Sequence, residues 1–282
     1  MGLTAAAIVA STGAAGQDWQ GATGRPKTAE QLVRVRVLVD VERVGPGEVF
    51  HLACVFDVEP KWHIYWRDPG TGAMPPEVTV TAPEGFRVGA IRWPRPGVMA
   101  SPIGDEYGYE NQVVLFVPVT APRDLKEGRA SLEALITWAV CKDVCLLGRA
   151  EHAIELATSG RPTGRSGTPD PLIERHKRRL PKPLAKADGA TVEFEGGTLT
   201  LTGPAGGCKT GRFFGVEGPG VTYEPARIAI NGDRFHVDVK VNVNPHNALG
   251  QPMTIGGLVA LGSKLDDPCY DFELPLPAPS SP

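Results

Sequence analysis

The 282-residue sequence lacks most features that assign a class at sight. Beyond its first residues, no stretch approaches the about 20 consecutive apolar residues of a membrane helix. The apolar run from Ile255 to Leu261 is far too short, so the chain is expected not to span a membrane. Charge of one sign is also missing. Lys and Arg number 29 against 32 Asp and Glu, a formal net charge of -3, and nothing electrostatic calls for a nucleic acid. The single basic cluster, His176-Lys177-Arg178-Arg179, reads as a solvated helix face. Helix-periodic stretches are few. Cysteine is scarce too: five residues, Cys54, Cys141, Cys145, Cys208 and Cys269, an odd count that leaves one over.

What the chain has in quantity is glycine and proline, 34 and 27 residues, set between short β-branched runs. That pattern predicts an all-β chain of antiparallel sandwiches. The length suits two domains, each long enough to bury its own core.

Residues 1–31 read as an export-signal remnant and a flexible lead-in. Leu3 to Ala10 is apolar, and Gly13 and Ala15 follow at positions suited to a signal peptidase. No Lys or Arg precedes the run, so the start of the signal is expected upstream. Residues 32–158 read as the first sandwich. LVRVRVLVDVERV alternates from Leu32 to Val41, and VFHLACVFDVEP follows a GPGE turn. VTVTAP, FRVGAIRWP, VVLFVPVTA, ITWAV and HAIELATS supply further strands, with RDPGTGAMPPEV as a turn-rich loop. Residues 159–189 read as a linker with a short helix from Asp170 to Leu180, Asp170 as N-cap and Pro171 at the first helical position. Residues 190–277 carry a second set of strands, with a tight turn at Asn231-Gly232, and 278–282 form a tail.

CKDVC, residues 141–145, is the one stretch that points to chemistry. Two thiolates can share a metal ion, but a zinc site needs four ligands and neither His152 nor Asp143 has ligand spacing. A bridge across so short a loop constrains the unfolded chain little, which makes a poor staple. A bridge of that kind suits thiol–disulfide exchange, where a thiolate attacks a disulfide sulfur. No bound cofactor is called for. Cys54, inside a strand, reads as a small buried apolar residue. Cys208 and Cys269, both in turn-like surroundings, are expected to form a structural disulfide.

Several motifs carry a resemblance. WHIYWRDPG at 62–70, IRWP at 91–94, GDEYGYE at 104–110 and ITWAVCKDVCLLG at 136–148 resemble the N-terminal periplasmic domain of DsbD, the thiol:disulfide interchange protein, and in particular its ScsB-type branch. The resemblance implies an immunoglobulin-like β-sandwich for the first domain; the short helix and the second β-sandwich domain that follow it are read from the residues. It implies a redox pair, Cys141 and Cys145, with Cys145 forming mixed disulfides. It further implies a thioredoxin-like electron donor, and acceptors that are periplasmic oxidoreductases for disulfide isomerisation or cytochrome c maturation. Asp105, Glu106, Tyr107 and Gly108 match the family's cap loop, which covers the cysteines until a partner displaces it. His63 and Tyr65 match aromatic positions beside the pair. Trp62, Trp66, Trp93 and Trp138 read as core or rim. The pair here has three intervening residues, whereas the best-known members have more, and Leu147 stands where many relatives have proline. Two other readings stay open: a redox-inactive partner-binding module whose bridge is structural, and a protein that holds copper or another soft metal. Oligomeric state is not read from the sequence.

Overall fold

Among the described residues, eleven strands come from positions 33–158. They are β1 (Val33–Val39), β2 (Arg43–Val44), β3 (Val49–Val58), β4 (His63–Gly70), β5 (Glu77–Thr81), β6 (Arg87–Val88), β7 (Gly97–Ser101), β8 (Gly104–Glu110), β9 (Gln112–Thr120), β10 (Gly128–Cys141) and β11 (Cys145–Thr158). A one-turn helix, α1 (Ala29–Leu32), precedes them where a flexible lead-in was expected. The structure is a computed structural model that describes residues 27–276, apart from 103, 165, 166, 168, 169, 245 and 247–250. The export-signal reading and the 278–282 tail lie outside the described residues.

The strands form two facing sheets, ordered β1-β3-β9-β6 and β2-β11-β10-β4-β8-β7, with β5 paired to β10. The centre of the first is β3, whose sequence VFHLACVFDV is apolar on both faces. Phe50, Leu52, Cys54 and Phe56 enter the sandwich. Ala53 and Val55 point the other way, under a second helix, α2 (Pro171–Lys177). Asp170 caps that helix, accepting from the N–H groups of Leu172 at 2.7 Å and Ile173 at 3.4 Å, with Pro171 at its first turn. Ile173 is 1% exposed and packs on Ala53, Val55, Val114 and Phe116. The helix read as part of a linker therefore covers a sheet that would otherwise present apolar side chains to water.

A buried carboxylate pins the helix down. Asp40, with a side chain only 5% exposed, accepts from Lys177 Nζ at 2.6 Å and pairs with His51 Nδ1 at 2.9 Å. Burial alone would raise its pKa, but the hydrogen bonds from His51 and Lys177 outweigh that and hold it far below the usual carboxylate range.

Among the described residues, the second sandwich has nine strands. They are β12 (Lys182–Pro183), β13 (Thr191–Glu195), β14 (Thr198–Pro204), β15 (Gly211–Val216), β16 (Val221–Tyr223), β17 (Arg227–Asn231), β18 (Arg234–Val243), β19 (Thr254–Leu261) and β20 (Cys269–Pro275). One sheet runs β12-β20-β19-β15; the other runs β13-β14-β18-β16 with β17 on β18. Period-two alternation in β18 sends Phe235, Val237, Val239 and Val241 into the core. The Asn231-Gly232 turn is present: Asn231 pairs with Arg234, and the left-handed position, φ +63, falls on Gly232.

The two sandwiches share an apolar cluster. Ile64, Trp66 and Tyr109 of the first meet Phe214, Leu258 and Ala260 of the second. Arg95, 9% exposed, donates to the carbonyls of Leu261, Gly262 and Lys264 and so ties the first domain to the β19–β20 turn. The strand β4 runs on through Arg67-Asp68-Pro69-Gly70, which was expected as loop.

Candidate functional site

The longest hairpin in the fold carries the cysteine pair at its tip. β10 and β11 pair without a slip from Gly128 opposite Thr158 to Cys141 opposite Cys145. Lys142, Asp143 and Val144 close the loop, with the N–H of Lys142 donating to the carbonyl of Val144 at 3.2 Å. The register places the two Cα atoms 4.2 Å apart, and the sulfurs are joined in a disulfide. The ladder that sets this register is anchored by Trp138, 3% exposed, whose indole lies across the hairpin over Gly148. A Cβ at Gly148 would fall 2.4 Å from that ring, so only glycine permits the crossing.

The two sulfurs differ in access. Cys141 is 3% exposed and packs with Tyr65 and Ala139. Cys145 is exposed. Val144 and Leu147 flank it at 59% and 72% exposure, so exposed apolar side chains stand next to the charges of the loop. Lys142 and Asp143 form an exposed ion pair at 3.4 Å with each other.

Beside the pair stands a polar group built by β4 and β8. Cys141 pairs with His63 across the β10–β4 ladder. The Tyr65 hydroxyl lies 4.0 Å from Cys145 Sγ, and His63 Nε2 lies 3.2 Å from the same hydroxyl. Glu106 of β8 closes the group, 3.0 Å from His63 Nε2 and accepting from Tyr65 at 3.4 Å. Burial and the nearby Glu106 carboxylate both push the Tyr65 pKa up, which keeps its hydroxyl protonated as a donor. The structure therefore brings His63, Tyr65, Glu106, Cys141 and Cys145 together.

It arranges the cap stretch differently from expectation. Residues 104–110 are a paired strand of the β7–β8 hairpin rather than a loop. Alternation along β8 turns Glu106 toward the disulfide and Asp105 and Tyr107 the opposite way. The Tyr107 ring packs edge-on against Phe214 of the second domain, centroids 5.0 Å apart, and Cys145 is left exposed. Gly108 pairs with Tyr65, and a Cβ there would lie 2.1 Å from the Ile64 carbonyl oxygen. Glycine is thus what lets β8 approach β4 closely.

Cys208 and Cys269, expected as a disulfide, are both free thiols. Their local settings differ. Cys269 is buried at the start of β20 and donates to the carbonyl of Arg179 at 3.8 Å, whereas Cys208 sits in the half-buried turn after β14. Burial pushes Cys269 up to about 12. Cys54 is fully buried in β3, and burial alone pushes it up to about 12, so it behaves as an apolar core residue. Trp66 and Trp138 are core, and Trp62 and Trp93 pack at its edge. Among the described residues, no group of three or more His, Cys, Asp or Glu is placed to hold a metal ion. Among them also, no helix is long and apolar enough to cross a membrane.

Fold and site together define a class: a β-sandwich domain with a disulfide at the tip of a long hairpin and a buried tyrosine beside its exposed sulfur. Residues 29–156 match the family described as thiol:disulfide interchange protein DsbD, N-terminal, and the first sandwich is a domain of that family. It is accordingly a thiol–disulfide exchange domain. Over nearly the whole length, the chain is similar to the N-terminal periplasmic domain of ScsB from Proteus mirabilis, with a TM-score of 0.57 at 18% identity, covering 91% of this chain and 98% of that one. At that identity the likeness shows a shared fold, second sandwich included. Two further structures score far lower. AvmM, which catalyses macrocyclization in alchivemycin A biosynthesis, gives 0.21 at 10% identity over 45% of this chain and 91% of that one. A chimeric titin Z1Z2 gives 0.19 at 12% identity over 87% and 96%, and neither carries an argument. No curated protein matches the sequence.

Proposed function

We propose that the chain is an extracytoplasmic module that relays electrons between partner oxidoreductases through Cys141 and Cys145. The observation that carries this reading is the asymmetry of the pair: an exposed Cys145 flanked by exposed Val144 and Leu147, and a resolving Cys141 that is 3% exposed. A donor thiolate attacks Cys145 Sγ, the bridge breaks, and Cys141 leaves as a thiolate. The donor's second thiol then attacks the mixed disulfide and frees Cys145. In the onward step the Cys145 thiolate attacks an acceptor disulfide and Cys141 resolves the product, so two electrons pass and no cofactor is consumed.

The donor fitting this chemistry is thioredoxin-like, and the acceptors are periplasmic oxidoreductases of the kind that isomerise disulfides or serve cytochrome c maturation. A periplasmic location suits the reading, because a disulfide of this type persists in an oxidising compartment. Asp105, Glu106, Tyr107 and Gly108 act in this scheme as the cap strand, and His63 and Tyr65 as the polar support of the pair.

The test is the reduction potential of the Cys141–Cys145 couple, measured by thiol trapping in glutathione buffers. A value between about -120 and -270 mV, the range of exchange proteins, is expected. A value below about -300 mV, as in structural bridges, would overturn the reading in favour of a partner-binding module. Cys141→Ser is expected to accumulate a mixed disulfide with thioredoxin through Cys145, and Cys145→Ser is not. Stoichiometric Cu(I) uptake lost on Cys141→Ser, with no exchange activity, would favour a soft-metal role instead.

A further inference from the structure

The strand β8 is held from two sides. Its disulfide face presents Glu106 to Tyr65 and His63. Its opposite face is gripped by β15 of the second domain. Asp105 pairs with Arg212 at 3.0 Å, and Tyr107 packs on Phe214 at 5.0 Å between ring centroids. The neighbouring strand is held the same way. Trp66 meets Phe214 at 5.8 Å, and the Asp68 carboxylate accepts from the N–H of Glu217 at 2.6 Å. Phe214 is 2% exposed, so this anchor is dry, whereas Asp105 and Arg212 are each nearly half exposed. Beside the anchor lies a cleft of about 690 Å³ lined by Asp68, Asp105, Tyr107, Arg212, Tyr223 and Ile228. It leaves β8 room to move on its second-domain side.

We infer that the second sandwich is a positioning element for the redox pair, with Arg212 and Phe214 as its positioning residues. Phe214 fixes where the hairpin hinges. The Asp105–Arg212 ion pair, weak and open to salt, sets how firmly the cap strand keeps the Glu106 carboxylate on Tyr65, whose hydroxyl in turn lies 4.0 Å from Cys145 Sγ. A carboxylate held there repels an incoming thiolate, so a looser grip speeds attack on Cys145. The second domain thereby throttles exchange without touching the sulfurs. This rests on the reading of Cys141–Cys145 as an exchange centre.

The experiment uses the full chain and four proteins: wild type, Arg212→Glu, Asp105→Arg and the double charge swap. Rates of disulfide reduction are measured with dithiothreitol and with thioredoxin, and the reduction potential is measured on each protein. Either single variant is expected to be reduced by dithiothreitol about two- to fivefold faster than wild type, the factor an exposed ion pair can supply. The single variants are expected to show a less negative potential as well, since the Glu106 charge is held less firmly near the thiolate, and the double swap is expected to restore both rate and potential. A merely structural role for Arg212 gives no such restoration. Equal rates in all four proteins, with wild type reduced normally by thioredoxin, overturn the positioning role and leave the exchange reading standing. A wild type that thioredoxin does not reduce overturns the exchange reading itself, and this inference with it.

Discussion

Removing one hydroxyl tests the chemistry of the site most directly. Tyr65→Phe leaves the ring, which is 2% exposed and packed on Ala139 and Cys141, and deletes only the group 4.0 Å from Cys145 Sγ. In the disulfide state that hydroxyl has Glu106 and His63 as partners. On reduction it gains a better acceptor, the Cys145 thiolate. Hydrogen bonds to charged groups contribute about 1.5–3 kcal/mol. Competition from Glu106 for the same proton and the 4.0 Å separation place this one just below that range, at about 1.4 kcal/mol, which is about 30 mV for a two-electron couple. Stabilising the thiolate favours the reduced form, so losing the hydroxyl makes the potential about 30 mV more negative. Glu106→Gln has the opposite sign, because it removes a negative charge from beside the developing thiolate. The assay is a redox titration of both variants in glutathione buffers, with thiols trapped and counted by mass. Unchanged potentials in both, or a shift of the same sign in both, would refute the reasoning.

The remaining expectations concern the scaffold. His176 is 1% exposed, and burial, followed by the charges of Arg179 and Arg175, lowers its pKa to about 4. The folded state therefore keeps it neutral while the unfolded chain protonates near pH 6.5. Its stabilising share is full above that pH and is lost as pH falls from about 6.5 toward about 4, a change of roughly 3 kcal/mol at 1.36 kcal/mol per unit. Urea midpoints across that window should fall in the wild type and fall less in His176→Gln; parallel curves would remove His176 from the account. Ile173→Ala deletes the side chain that seals the outer face of β3 and β9 and should cost about 2–5 kcal/mol by urea denaturation. A loss below about 0.5 kcal/mol would show that α2 is not an integral cover of the first sandwich.

Much of this was legible along the chain because the signals are short-range. Alternation in LVRVRVLV became β1, and the same period in RFHVDVKVNV became β18. The Asp170-Pro171 start of the helix and the Asn231-Gly232 turn needed only neighbouring residues to specify them. The cysteine pair announced itself by spacing. Other features misled for equally physical reasons. RDPG looks like a turn, yet past an irregularity after Tyr65 its Gly70 pairs again with Glu106 of β8, which carries β4 through it. Cys208 and Cys269 look pairable, and the fold brings both near Arg95, yet it leaves them as free thiols, one buried and one half-buried. The acidic aromatic stretch looks like a loop lid, yet it is a strand with two occupied faces.

The sequence by itself determined the all-β class, the order of the two sandwiches and the close spacing of one pair of cysteines. These follow from period-two patterning, turn chemistry and local spacing, which act over a few residues. Only the tertiary structure decided which sulfur is exposed, which cap residue faces it, and that α2 and β15 hold the first domain from outside. Those outcomes depend on contacts such as Arg212 with Asp105, 107 residues apart. A side chain's face on a strand is set by register, and its partner by which surfaces remain to be buried. Neither quantity exists until the sheets have packed.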